Sequence, residues 1–250
     1  MGYDQKITGS IKNMPQKYSL KFPRLIWQSA GIFAAIGIIY LGFWATNVDT
    51  SVTSANITSI TRLNIDSACV QRDSFESEVR CVEAIQTAQL KEIPDLTCVN
   101  DRVSREPEAA IERGRACCFT RSRLIEKALT HFGFKVRHVS MHVLSVPIIG
   151  YIMPVRDSHA ASEVLTSRGW MFVDSLQVFR AITRDGKPLT APELRRLEDF
   201  SALDKPPANP SFYHMHYTSL YGLYSRHGQF YPPYLPLPDI AWSQVFYNFE

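Results

Sequence analysis

The sequence lacks the features of several common protein classes. Its five cysteines include no Cys-x-x-Cys pair, so the spacing typical of structural zinc sites is missing. The net charge is only +3, and the basic excess lies in residues 1–24, which hold five Lys or Arg and one acid. The rest of the chain therefore lacks the basic stripe of a nucleic-acid-binding domain, and we expect no nucleic acid among the partners.

Charge is absent altogether from residues 25–48. The run LIWQSAGIFAAIGIIYLGFWA is about as long as the roughly 20 apolar residues that a helix needs to cross a bilayer. Aromatic residues typical of membrane interfaces lie toward its two ends, at Trp27, Tyr40 and Trp44. We predict a transmembrane helix at 25–46. A cleaved signal peptide and a buried helix are the alternatives, but the run exceeds a usual signal-peptide core and no clear cleavage site follows it.

The basic residues also predict an orientation. Five of them precede the apolar run, and the first one after it is Arg62. The positive-inside rule then leaves residues 1–24 as a cytosolic tail of a single-pass inner (plasma) membrane protein. The C-terminal domain would be periplasmic or extracellular, where disulfides are permitted.

The remaining chain divides by composition. Residues 47–65 are rich in Ser, Thr and Asn and predict a stalk, and residues 66–205 hold the helical and strand patterns of a domain. Ser74 is placed to cap a helix in that domain. Residues 206–250 are rich in Pro and aromatic residues and predict a C-terminal extension. Its rings could stack on glycan or peptide, but we favour a tail that wraps the core and buries them.

The stretch GRACCFTRSRLIEKALTHFG contains adjacent cysteines just before a helical pattern. At 100° per residue, Cys118 lies on the same side as Ile125 and Leu129, whereas Cys117 points about 100° away. The amino end of a helix favours a thiolate through its N–H groups and dipole. Cys118 is thus a candidate nucleophile. The alternative is a small buried apolar residue, and the choice depends on whether a base lies nearby.

A candidate base follows in RDSHAASEVLTSRGWMFVDSLQ. This stretch predicts a β-hairpin with strands at 159–165 and 170–176 joined by TSRG. Symmetric pairing makes His159 and Asp174 diagonal neighbours on one face, within hydrogen-bonding reach. A one-residue shift would separate them. An imidazole held by a carboxylate is the base that activates a thiol, so we predict a Cys118–His159–Asp174 site.

The helix around Cys118 resembles part of the transglutaminase-like superfamily, which has a papain-type Cys–His–Asp fold. In that family a glycine precedes the nucleophile, a second glycine closes its helix, and an arginine-containing strand follows. The corresponding residues here are Gly114, Cys118, Gly133 and the Arg137 of FKVRHV.

The hairpin also resembles that family. Its His-Ala-x-x-Glu-Val strand matches HAASEV from His159, and its Trp-x-x-x-Asp strand matches WMFVD, which ends at Asp174. Two departures concern the neighbours of these residues. Ala161 stands where the family often has an aromatic residue, and Cys117 is a second cysteine beside the nucleophile. Both leave the choice of substrate open.

The resemblance implies an α+β fold, with a core helix packed on an antiparallel sheet, in a membrane-anchored bacterial member of the family. It implies a cysteine hydrolase or acyltransferase, such as a peptidase or amidase, with no cofactor. The substrate would be a protein, peptide or cell-envelope polymer. Because the family also includes non-catalytic members, the alternative is an inactive domain that binds envelope glycan or protein.

The other cysteines and two pairs of histidines are the remaining candidates for disulfides and for a metal site. Four cysteines besides Cys118 allow two disulfides in three connectivities: Cys69, Cys81, Cys98 and Cys117. His138 and His142 would lie about 13 Å apart on a strand, too far to share one metal ion. His214 and His216 lie among tyrosines, where a packing or substrate-facing role is expected. We therefore predict no metal site.

Overall fold

In the computed structural model, residues 24–99, 103–143, 157–225 and 237–249 are described. The chain forms two compact units, Met1–Gly42 and Phe43–Glu250. Helix α1, Arg24–Thr46, has 23 residues, which at 1.5 Å per residue is about the thickness of a bilayer core. Its segment Ser29–Thr46 is apolar enough for a membrane span or a signal sequence. The side chain of Trp27 lies outside the described part.

Five helices occupy the first half of the second unit. They are α2 at Ser54–Arg62, α3 at Asp66–Cys69, α4 at Phe75–Glu92, α5 at Pro107–Arg113 and α6 at Cys118–His131. Ser74 caps α4 as predicted, because its hydroxyl accepts a hydrogen bond from the backbone N–H of Ser77. Gly133 follows α6 with a φ of +81°, a backbone conformation that favours glycine at the end of a helix.

The predicted stalk at 47–65 is wrong, because this segment folds onto the domain. Its helix α2 begins with a capping box between Thr53 and Asn56. The side chains of Ile60, Leu63 and Ile65 are buried in the main hydrophobic core. These three apolar residues, in and just after α2, attach the segment to the core, and a composition count over 19 residues conceals them.

A four-stranded antiparallel sheet forms the second layer, in the order β3-β2-β1-β4. Its strands are β1 at Lys135–Val143, β2 at Ser158–Thr166, β3 at Gly169–Val173 and β4 at Tyr217–Tyr221. A second sheet pairs β5 at Leu223–Ser225 with β6 at Asp239–Ile240. Two short helices, α7 at Ala191–Leu194 and α8 at Trp242–Val245, lie outside the sheets. The α+β class with an antiparallel sheet is confirmed.

The hairpin register is confirmed, but the second strand is shorter than predicted. Thr166 pairs with Gly169 and Ser162 with Val173, in the symmetric register. The ladder then stops instead of continuing to 176, because the backbone N–H of Asp174 turns to the carbonyl of Phe179. Asp174 therefore lies just beyond the end of β3.

The C-terminal region is not an extension that follows a domain ending at residue 205. Strand β4 pairs with β1 and completes the sheet, so the domain boundary predicted at 205 is wrong. Four of the five described tyrosines of this region are buried, as expected for a segment that covers the core: Tyr213, Tyr217, Tyr221 and Tyr224. Burial of aromatic rings offsets the entropy of ordering a long chain segment.

Two disulfides complete the core. They join Cys69 to Cys81 and Cys98 to Cys117, which selects one of the three connectivities that the sequence left open. Cys117 is therefore a structural residue. Its bond joins Cys98, in the segment between α4 and α5, to the residue that precedes Cys118.

Candidate active site

Cys118 is the first residue of α6, and Cys117 is the N-cap residue before it. All five cysteines lie in the described part of the chain, and Cys118 alone has a free thiol. Its side chain is only partly exposed. The backbone N–H groups of Phe119, in α6, and Ala160, in β2, lower the pKa of this thiol. The amino end of a core helix and a neighbouring strand thus both place N–H groups near the sulfur.

His159 and Asp174 are in direct contact. The imidazole Nε2 of His159 lies 3.0 Å from Asp174 Oδ1, and both side chains are buried. The same imidazole lies beside the Cys118 thiol, where it lowers the pKa of the thiol and the sulfur raises the pKa of the imidazole. Because Asp174 engages Nε2, Nδ1 is the ring nitrogen left for the sulfur. The structure thus brings together the three residues that the sequence placed in one candidate site.

The carboxylate of Asp174 is held by three groups besides His159. Its Oδ1 accepts the backbone N–H of Leu176 at 2.8 Å. Its Oδ2 accepts the side-chain amide of Gln177 at 2.7 Å and the hydroxyl of Tyr213. Each carboxylate oxygen therefore has two donors. Such saturation fixes the orientation of the carboxylate toward the imidazole.

The proton equilibria of the site favour charge separation. Burial raises the pKa of the Cys118 thiol, but the hydrogen bond and charge of His159 and the nearby N–H groups outweigh it, so that pKa lies below its usual value. Burial lowers the pKa of His159, but Asp174 and the sulfur raise it above its usual value overall. Burial likewise opposes ionisation of Asp174, yet its donors hold the pKa below the usual range. All three shifts favour the thiolate–imidazolium form of the pair over the neutral form.

A glutamine on α4 holds the loop that carries Asp174. The Nε2 of the buried Gln86 donates to the carbonyls of Asp174, Gln177 and Phe179, at 2.8, 3.1 and 2.8 Å. One turn along the same helix, Gln89 donates to the carbonyl of Ser175 at 3.2 Å. These contacts fix the backbone where the β3 ladder ends, and so they position the carboxylate.

An arginine on α6 holds the segment on the other side of the thiol. The Nε of Arg121 donates to the carbonyl of Ala116 at 2.6 Å, and its Nη2 donates to the carbonyls of Ile93 and Asp95. Burial lowers the pKa of this guanidinium to about 10, while the charges of Asp95 and Cys118 act in the opposite direction. Arg121 stays cationic at neutral pH and adds positive charge near the sulfur.

Sequence reasoning did not find these supporting residues. Tyr213 is 39 residues from Asp174 and lay within a region considered only for its aromatic composition. Arg121 had a usable signal, because a residue three positions after a helix-starting cysteine lies on its side of the helix. The spacing of Gln86 and Gln89 also places them on one side of α4. Nothing in the sequence indicated which backbone carbonyls they would bind.

His138 and His142 of β1 each have a structural partner and do not share a ligand. His138 Nδ1 lies 2.7 Å from Glu126 Oε1, and its ring stacks on Tyr224. His142 Nε2 lies 2.7 Å from the hydroxyl of Ser140. Within the described ranges, no group of three or more His, Cys, Asp or Glu side chains is arranged to hold a metal ion.

The arginine and glutamate of the strand motifs form an ion pair away from the thiol. Arg137 and Glu163 are directly opposed on β1 and β2, and the guanidinium donates twice to one carboxylate oxygen, at 2.9 and 2.7 Å. Tyr221 also donates to this carboxylate. The pair is buried, so removing either partner alone would leave an uncompensated charge.

No protein-family model matches the chain, and no curated protein or solved structure matches it either. Any functional conclusion therefore depends on the arrangement of Cys118, His159 and Asp174 and on the groups around them.

Tyr213→Phe tests the support of the carboxylate. The change removes a hydroxyl that donates to a charged group, so we expect a loss of about 1.5–3 kcal/mol in the free energy of unfolding. We also expect alkylation of Cys118 at pH 6 to slow a few-fold, because Asp174 then holds the imidazole less firmly. Urea denaturation and iodoacetamide kinetics provide the two measurements.

Tyr217→Phe is the matched control for this prediction. Tyr217 is equally buried, but its hydroxyl donates to the carbonyl of Ala191, at 3.0 Å. We expect this variant to lose some stability and to keep the native alkylation rate. Equal alkylation rates in the two variants would show that Tyr213 has no role in positioning Asp174.

Proposed function

We propose that this protein is a membrane-anchored, transglutaminase-like thiol enzyme that acts on amide or ester bonds in the cell envelope. The observation that carries the proposal is the contact of one buried imidazole, that of His159, with both the Cys118 thiol and the Asp174 carboxylate. A free cysteine at a helix start is a weak indication by itself. A base that is oriented by a carboxylate gives that cysteine the arrangement used in nucleophilic catalysis.

In the proposed reaction, the Cys118 thiolate attacks the carbonyl carbon of the substrate and forms a C–S bond. The backbone N–H groups at the very start of α6 stabilise the negative charge that develops on the carbonyl oxygen, whereas those of Thr120 and Arg121 already donate to the carbonyl of Cys117. His159, which holds the thiol proton, passes it to the leaving nitrogen or oxygen. The bond to the leaving group breaks, and a thioester on Cys118 remains.

The second half of the reaction removes the acyl group. His159 takes a proton from an acceptor molecule, which attacks the thioester carbonyl and releases the Cys118 thiolate. Water as acceptor makes the protein a peptidase, amidase or esterase, and an amine makes it an acyltransferase. In both cases Asp174 keeps the imidazole in the orientation that both proton transfers need.

The proposed location rests on three observations. The apolar side chains of α1 are exposed, as a lipid-facing helix requires. Within the second unit, the last turn of α1 is part of the fold, because the Trp242 ring packs against Phe43 at a tilt and its indole N–H donates to Thr46 Oγ1 at 2.9 Å. Cleavage of a signal peptide there would remove these contacts, which favours an uncleaved anchor. Residues 1–24 would be cytosolic, and the two disulfides suit a domain on the oxidising side.

Acylation of Cys118 tests the proposed reaction. The full chain in detergent is incubated with an activated ester, p-nitrophenyl acetate, then quenched in acid, digested and analysed by mass spectrometry. We expect an acetyl group on Cys118 and a burst of p-nitrophenol equal to the enzyme concentration, with both absent in Cys118→Ser.

The opposite result would favour the alternative, a non-catalytic domain that binds envelope glycan or protein. That result is a fully folded protein whose Cys118 stays unacylated after incubation for many half-lives of the spontaneous hydrolysis of the ester. The buried tyrosines Tyr213, Tyr217, Tyr221 and Tyr224 do not support this alternative, since their rings are not exposed for stacking on a ligand.

A further inference from the structure

The C-terminal segment Trp242–Phe249 presents unusual apolar groups to the surface. The ring of Phe246 is 74% exposed and that of Phe249 is 83% exposed. No charged residue occurs between Ile240 and Phe249. Single exposed apolar residues are ordinary on a protein surface, but two exposed phenylalanines in an uncharged segment call for a partner.

Neighbouring residues hold this segment so that the two rings point outward. The ring of Tyr247 packs against Trp170 and Tyr221. Asn248 accepts the backbone N–H of Tyr221 at 2.8 Å and donates to the carbonyl of the same residue at 3.1 Å. The exposure of Phe246 and Phe249 is therefore set by a fixed attachment on the opposite side of the segment.

The position of the segment indicates what covers these rings. Trp242 contacts Phe43 and Thr46 in the last turn of α1, with ring centroids of Trp242 and Phe43 4.2 Å apart. A helix rises about 6 Å over four residues. Phe246 therefore lies within roughly that distance of Trp242, measured along the axis of α8. The polar layer on each side of a bilayer is about 5–8 Å thick. A residue this close to the end of a span is within reach of that layer.

We propose that Trp242–Phe249 is a second membrane contact, in which the rings of Phe246 and Phe249 enter the interfacial layer of the bilayer that α1 crosses. This inference rests on the proposed membrane anchor. Aromatic rings are favoured at the membrane interface, and the residues from Ile240 to Phe249 carry no charge to be desolvated there, with Glu250 the first charged residue after them. Because Tyr247 and Asn248 attach the segment to the sheet, the contact would fix the orientation of the catalytic domain on the membrane.

Photo-crosslinking to lipid tests the inference on the full chain in liposomes. The photoreactive amino acid p-benzoylphenylalanine replaces Phe246, Phe249, Phe33 or Val70 in four separate variants. Its shape is close to that of phenylalanine, and all four positions are exposed, so folding is expected to survive. After irradiation, lipid adducts are detected as mass shifts of the peptide that carries the probe.

We expect lipid adducts at 246 and 249, as at 33 in the apolar helix, and none at 70. Val70 is the matched control, because it is 75% exposed but lies on the surface of the domain after α3. Adducts at 33 without adducts at 246 and 249 would overturn the second contact and leave the anchor intact. Absence of adducts at 33 would overturn both. Adducts to a second copy of the chain at 246 or 249 would instead show a protein interface.

Discussion

His159→Ala is expected to slow alkylation of Cys118 by iodoacetamide at pH 6 by roughly 10- to 100-fold. The imidazole lowers the pKa of the thiol, and without it the pKa should return to or exceed the ordinary value of about 8.5. At pH 6 such a thiol is less than about 1% ionised. At pH 9.5 or above the two proteins should react at similar rates, because both are then largely thiolate.

His138→Ala is the matched control for this experiment. His138 is also a buried histidine in contact with a carboxylate, that of Glu126, but the Cys118 sulfur is not among its partners. We expect His138→Ala to lower the melting temperature at least as much as His159→Ala and to leave alkylation at pH 6 within a few-fold of the native rate. If the two variants react equally fast while both remain folded, His159 is not the base.

The two adjacent cysteines should respond oppositely to replacement by serine. Cys118→Ser should leave the free energy of unfolding nearly unchanged and remove all thiol reactivity, since Cys118 is the free cysteine. Cys117→Ser breaks the bond to Cys98, which spans 19 residues, and should lower stability by about 3 kcal/mol. Urea denaturation and peptide mapping after alkylation measure both effects.

Cys98→Ser separates the disulfide from the local effect of a new residue. Serine at 117 could cap α6 and so offset part of the loss, whereas serine at 98 removes the same bond without changing the N-cap residue. We expect both variants to keep an alkylated Cys118, and the double variant to be no less stable than Cys98→Ser. Loss of reactivity in Cys117→Ser, together with a destabilised but reactive Cys118→Ser, would place the nucleophile one residue earlier.

The contacts that the sequence predicted are those set by local periodicity. Cys118 follows from the helical pattern of its own segment, and the register of β2 and β3 follows from the short turn TSRG, in which Thr166 pairs with Gly169. Asp174 was placed on the correct side although its strand ends one residue earlier. The alternation of side chains persists for a residue beyond the last ladder hydrogen bond.

The contacts that the sequence did not predict depend on distant chain segments. Tyr213 reaches Asp174 through the segment that leads into β4, which pairs with β1 at the edge of the sheet, and no local pattern encodes that return. Helix α2 was taken for a stalk because its burial involves a few side chains that complete a core built by other helices. Long-range packing of this kind determines the structure of a segment, whereas composition describes the segment in isolation from its partners.

The pH dependence of alkylation of wild-type Cys118 tests the central claim most directly. Because the pKa of the thiol is lowered in the folded protein, the thiolate persists below pH 8.5 and is lost only as the pH falls through that lowered value. We predict that the rate profile, measured on Cys118 by peptide mass spectrometry, has its midpoint below pH 8.5, so that the rate at pH 6 stays well above that of an ordinary thiol. A rate that is negligible at pH 6 and rises with a midpoint near 8.5 would describe an ordinary thiol and would contradict the account.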